Sequence, residues 1–191
     1  SWLKHGFCAL QISGLCTGCG GGGGCLDNLT PGCSDPYSAS LNGSQSNLGP
    51  RSQVNAFSGF FPFPYSAPNC PPSEGNICRR LQVHVDDLTA NLFPGAQYFV
   101  SGQYVALDDS LAGNQANNAS YRPITVSQTG NRSLNFSGPT EMMSPPIQAW
   151  QDYQPSVTLV DLQVPNEGLF IVGYDVIDNG NGTWNYEYAV Y

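Results

Sequence analysis

The stretch that decides the fold is Gly168-Leu169-Phe170-Ile171-Val172-Gly173-Tyr174-Asp175-Val176-Ile177-Asp178-Asn179-Gly180-Asn181-Gly182-Thr183-Trp184-Asn185-Tyr186-Glu187-Tyr188-Ala189-Val190-Tyr191. Phe170, Val172, Tyr174 and Val176 alternate with their neighbours, and so do Trp184, Tyr186, Tyr188 and Val190. This is the two-residue period of a half-buried strand. Between the two runs, aspartate, asparagine and glycine supply the positive-φ positions that a tight hairpin turn requires. The reading is a β-hairpin, Gly168 to Ile177 paired with Thr183 to Tyr191.

Working back from the hairpin, the same period predicts strands over Gln97 to Ala106, Ile124 to Ser127, Ser133 to Ser137 and Ser156 to Val164. A further strand is expected from Arg79 to Asp86, with Leu81, Val83 and Val85 on one side and Arg80, Gln82, His84 and Asp86 on the other. Seven strands separated by turn signals is a β-sandwich count. Only Pro145 to Tyr153 reads as helix, with Ser144 as N-cap and Pro145 at the first helical position. The fold class expected is all-β, an immunoglobulin-like antiparallel β-sandwich over residues 79–191.

Residues 1–78 read differently. They lack sustained periodicity and are dense in Gly, Pro, Ser, Asn and Cys, which predicts a disulfide-rich irregular region packed on the sandwich as one structural unit. Cys8, Cys16, Cys19, Cys25 and Cys33 crowd one segment, and Cys70 with Cys78 would close a short loop turned by Pro71, Pro72 and Gly75. Seven cysteines cannot all pair within the chain, so one thiol stays free or bonds elsewhere. The glycine run 20–24 is expected to be fixed by crosslinks on each side, or otherwise to form a flexible tip. Phe57 to Tyr65 is expected to be extended around its prolines, its aromatics capping a core.

The chain carries one lysine, five arginines and fourteen carboxylates in 191 residues, a net charge of −8. Nucleic acid and anionic membrane both need a basic face, so neither is expected as a partner. No apolar run approaches the roughly eighteen residues of a membrane span. Disulfides imply an extracellular or cell-surface location. The start at Ser1 and the end inside a strand pattern suggest a piece of a longer protein. Asn28, Asn42, Asn118, Asn131, Asn135 and Asn181 head N-x-Ser/Thr triplets, which arise readily in turns of this composition.

The segment Asp178-Asn179-Gly180-Asn181-Gly182-Thr183-Trp184 resembles the hairpin turn of filamin-type immunoglobulin-like repeats and many bacterial surface domains. That implies a fold element and no activity. Three strings are similar to an uncharacterised family of secreted bacterial proteins: Ser1-Trp2-Leu3-Lys4-His5-Gly6-Phe7, the run from Cys33 through Asp35-Pro36-Tyr37 to Ser46, and Tyr186-Glu187-Tyr188-Ala189-Val190-Tyr191. The similarity spans most of the chain; it implies a piece internal to a longer chain and assigns no residue a role.

Four constellations could carry chemistry. Cys16-x-x-Cys19 with Cys25 and Cys33 could hold a metal, but the paired C-x-x-C spacing is missing and disulfides are the expectation. On the expected strand, His84 and Asp86 would lie about 7 Å apart on one face, and His5 beside them would make an acid–base or metal site. A solvated strand face is the plainer reading. Asp175, Asp178, Asn179 and Asn181 offer oxygen ligands for calcium near the hairpin turn, without the spacing of a dedicated loop. Paired carboxylates at Asp86-Asp87 and Asp108-Asp109 are two further sources of oxygen.

Trp184, Tyr186 and Tyr188 could stack on sugar rings if exposed, but their alternation favours the sandwich core. Hydrolase and nucleotide signatures are missing. The expectation is therefore an extracellular structural or binding protein, self-associating through exposed strand edges or contacting other chains or glycans. The alternative is a secreted polysaccharide-active enzyme using His84, Asp86 and His5.

Overall fold

The computed structural model describes residues 2–3, 49–62 and 82–191. The chain divides into two compact units, Ser1–Gln53 with Pro62–Gln82, and Val54–Phe61 with Val83–Tyr191. In the first unit, β1 (Trp2–Leu3) pairs antiparallel with β2 (Gly49–Pro50), and a 3-10 turn follows at Arg51–Gln53. All seven cysteines and His5 lie outside the described residues, so the expected disulfides and the Cys70–Cys78 loop do too.

The second unit is mostly strand, in two antiparallel sheets with few helices. In the first sheet, β3 (Tyr98–Gln103) pairs along one edge of β4 (Ala119–Val126). Two short strands, β5 (Leu134–Phe136) and β6 (Glu141–Met142), share the other edge. Ile124 faces Phe136 while Tyr121 faces Glu141, so three steps along β4 match five along its partner and two residues bulge out. Pro123 explains why. It has no N–H, and its carbonyl accepts Ser137 N–H on this edge, so the missing donor falls where the partner has already left the ladder. Gly138 sits in the bulge, where an added Cβ would lie 2.6 Å from Pro123 Cγ. The Arg122 Nε–H donates to Gly138 O at 2.8 Å, with its guanidinium 4.0 Å over the Phe136 ring.

The second sheet is a meander of β7 (Thr158–Val164), β8 (Gly168–Asp178) and β9 (Trp184–Val190). Pro165 and Asn166 turn the first hairpin, with Asn166 at φ 64° and Glu167 N–H donating to Val164 O. The second turn is held by its own side chains. Asp178 Oδ1 accepts Gly180 N–H at 2.8 Å, and Asn181 Oδ1 accepts Thr183 N–H at 3.1 Å, with Gly180 and Gly182 at positive φ.

Helix α1 (Leu107–Leu111) and a 3-10 turn at Gln115–Asn118 connect β3 to β4, and α2 (Gln148–Tyr153) connects the sheets. The expected helix is thus present, but it opens as a tight turn from Pro145. Ser144 is fixed instead by its backbone N–H donating to Ala119 O. Helix α2 packs against both sheets. Tyr153 meets Phe99 edge to face at 5.1 Å, and Phe99 meets Tyr121 at 5.7 Å. Trp150 lies over Gly173 of β8. Around these contacts the buried apolar residues are Ala119, Tyr121, Ile124, Ile147, Ala149, Val157 and Ile171.

The strand expected over 79–86 is not formed in its described part. Residues 82–84 are irregular, and Asp86–Leu88 is a 3-10 helix. Val83 and Val85 are exposed, so burial offers the extended form nothing. Thr89 closes the turn instead, its N–H donating to Asp86 O and its hydroxyl to Val85 O. Gln128 and Arg132 bind the carbonyl of Leu88, the role a neighbouring strand would have filled. Phe57 likewise stands in a turn organised by Asn55, whose Oδ1 accepts the Phe57 and Ser58 N–H groups, and Phe60 is exposed.

Candidate binding face

The β7–β8–β9 sheet has two unlike faces. The register sets Val160 opposite Val172, Leu162 opposite Phe170, Tyr174 opposite Tyr188, and Val176 opposite Tyr186, so all share one face with Val164, Trp184 and Val190. The other face carries Leu159, Asp161, Gln163, Leu169, Ile171, Gly173, Asp175, Ile177, Asn185, Glu187 and Ala189. The apolar alternation read from the sequence is therefore present residue for residue. Its burial is reversed.

The expected core residues of this hairpin stand in solvent: Trp184 is 53% exposed, Tyr186 57%, and Tyr188 and Val190 69% each. Val160, Leu162, Val164, Phe170, Tyr174 and Val176 are also exposed. On the reverse side of β8, Ile171, Gly173 and Asp175 are buried, with Trp150 of α2 over Gly173 and Gln154 on Asp175, while Gly168, at the end of the open face, is buried beside Phe57. A Cβ on Gly173 would lie 3.1 Å from Trp150 Cε3 and Cζ3 and from Leu159 Cδ2. A glycine in mid-strand signals such a close approach, and Gly173 was the sequence cue to which face is covered.

Two polar contacts anchor α2 in this position. Tyr121 donates its hydroxyl to Asp152 Oδ2, while Gln148 Nε2 donates to Asp152 Oδ1 at 3.1 Å. Gln154 Nε2 donates to Asp175 Oδ2, and Trp150 Nε1–H donates to Gln154 Oε1 at 3.3 Å. Burial and the Asp152 carboxylate push the Tyr121 phenol well above its ordinary range. The same helix walls a cleft of about 580 Å³ with Gln97, Phe99, Trp150, Tyr153 and Gln154.

The other expected site residues are placed as follows, His5 lying outside the described residues. The His84–Asp86 pair sits on a turn and not on a strand face. Its side chains are 70% and 60% exposed, with Nδ1 3.5 Å from Asp86 Oδ2. That same Nδ1 accepts the Asp86 N–H at 3.3 Å when it carries no proton, so its contacts are local to the turn. For the calcium quartet, Asp175 and Asp178 are three residues apart on one strand and so point to opposite faces. Asp175 is buried on Gln154, while Asp178, Asn179 and Asn181 are engaged in the turn itself. Among the described residues no group of three or more His, Cys, Asp or Glu could hold a metal. Asp109 accepts the Asn118 side chain beside α1. No helix among them is long and apolar enough to cross a membrane.

Compared with protein-family models, with curated proteins and with solved structures, the chain matches none.

Proposed function

We propose that this chain is an extracellular structural or binding component that works by contact, built on an immunoglobulin-like sandwich whose β7–β8–β9 layer presents the contact surface. The observation that carries the reading is the open face of that sheet: ten exposed apolar side chains on three strands. Contiguous apolar surface of this extent marks an interaction site in a protein stable in water. Two antiparallel sheets and the Asp178–Trp184 turn support the sandwich, and the cysteine content and sparse charge support secretion.

The alternative, an enzyme acting on polysaccharide through His84, Asp86 and His5, loses its support at the turn. Among the described residues these two exposed side chains contact each other and their own backbone, an arrangement that by itself excludes no water and orients no substrate.

A membrane-impermeant tyrosine label tests the proposal. Tyr174, Tyr186 and Tyr188 should react in the dilute purified chain and be protected on intact producing cells. Tyr153, off that face and 53% exposed, should react in both preparations; equal labelling of the three face tyrosines in both would remove the contact role, and labelling of Tyr153 only after lysis would remove the extracellular one.

A further inference from the structure

We infer that the β7–β8–β9 face closes against the same face of a second copy of the chain, sheet on sheet about a two-fold axis. This rests on the contact role proposed above and names the partner.

Area is the first argument. The five aromatics of the face, each offering roughly 200 Å² when bare, leave on the order of 500 Å² in water at their exposures. The exposed valines and Leu162 bring the patch close to the ~800 Å² per partner of a stable interface. Two such sheets pack about 10 Å apart, with inward side chains interdigitating and no gap for water.

Charge is the second. In a two-fold interface the same patch lies on both sides, so a patch carrying charge of one sign would meet its like. Over the whole face the one ionisable carboxylate is Asp178, at the rim and turned to the Gly180 N–H, while Asp161, Asp175 and Glu187 all lie on the reverse side. The chain carries −8 overall, yet the surface that would face a copy has that single carboxylate, at its rim. A partner selected by opposite charge would find only that rim group to pair with.

The remaining charge of the two copies still repels at long range, and salt screens that repulsion. Association should therefore tighten as salt rises, the reverse of a contact held by ion pairs.

Sedimentation velocity of the full chain, from the low micromolar range upward and at low and high sodium chloride, tests the inference. The expected result is a monomer–dimer equilibrium that shifts to dimer with salt and is weakened about 30-fold or more by Tyr188→Lys. Lysine reduces the net negative charge, so that loss cannot come from general repulsion. Leu162→Lys at the far edge of the same face should act alike, and Glu187→Lys on the reverse side should leave the equilibrium unchanged, with circular dichroism showing each variant folded. A monomer at every concentration, a dimer that salt dissolves, or a dimer indifferent to both face variants overturns the inference. A monomer whose tyrosines are nonetheless protected on producing cells overturns it while leaving the contact role standing, with a different molecule as occupant.

Discussion

Tyr121, buried at the centre of β4, donates its hydroxyl to Asp152 on α2, and this bond ties the first sheet to the helix that also covers the second. Burial, then the hydrogen bond and charge of Asp152, raise the phenol's pKa. Below about pH 10 the phenol is neutral both folded and unfolded, so it adds no pH dependence. Above that, the unfolded chain releases the proton while the folded one keeps it, so stability falls as pH rises, by up to about 1.4 kcal/mol per pH unit from this group. Tyr121→Phe should abolish that part of the alkaline slope. It should also cost about 1–3 kcal/mol at neutral pH, since Asp152 Oδ2 loses its donor. Denaturant titrations of both proteins across the alkaline range check this, and identical slopes would refute the assignment.

The covered side of β8 makes a second prediction. At Gly173 a methyl group would press on Trp150 and Leu159 at 3.1 Å, whereas at Gly102 of β3 nothing lies within 4 Å. Gly173→Ala should destabilise by about 1–3 kcal/mol through overpacking. Gly102→Ala should be neutral or stabilise by about 0.4–1 kcal/mol, because it restricts the unfolded chain. Thermal melts of the two variants should move apart; equal shifts would mean that α2 does not lie on Gly173.

The hairpin was legible because its cues are local. Asp178, Asn179, Gly180, Asn181 and Gly182 set the turn through bonds among themselves, and alternation sets the faces. Which face is covered depends on Trp150, some twenty residues upstream, and only Gly173 hints at it. The short helix was legible from Pro145 onward for the same local reason. The segment around His84 failed the other way: alternating valines carry the period of a strand, but a strand also needs an edge to pair with. There the backbone is held by Gln128 and Arg132 side chains, which no period reveals. Helix α1 and β6 are too short for periodicity to register. The candidate site was half legible, its residues readable from alternation and its exposure only from the fold.

Asp175 makes the third prediction. It is 2% exposed, and its side chain is held by Gln154 Nε2. Gln154→Leu removes that donor and leaves a buried carboxylate facing an apolar group, which should cost about 3 kcal/mol. Asp175→Asn keeps an acceptor for Gln154 and should cost less than about 1 kcal/mol. Chemical denaturation of the two variants checks the order. Added calcium should restore neither, because Asp178 lies on the opposite face of the strand and cannot share an ion with Asp175.

The bulge beside β4 makes the last prediction, and a double-mutant cycle isolates it. Gly138 fits only because it lacks a Cβ, which would fall 2.6 Å from Pro123 Cγ. Gly138→Ala must therefore move the bulge or the proline ring, at about 1–3 kcal/mol. Moving the bulge also withdraws Gly138 O from Arg122 Nε and loosens the guanidinium over Phe136. Pro123→Ala alone removes the ring and supplies an N–H where the partner strand offers no paired carbonyl, so it should be mildly destabilising. If the clash is the cause, the two changes together should cost less than their sum by about 1 kcal/mol, a coupling that distant sites do not show. Additive costs would mean that Gly138 is required for its backbone conformation and not for the room it leaves Pro123.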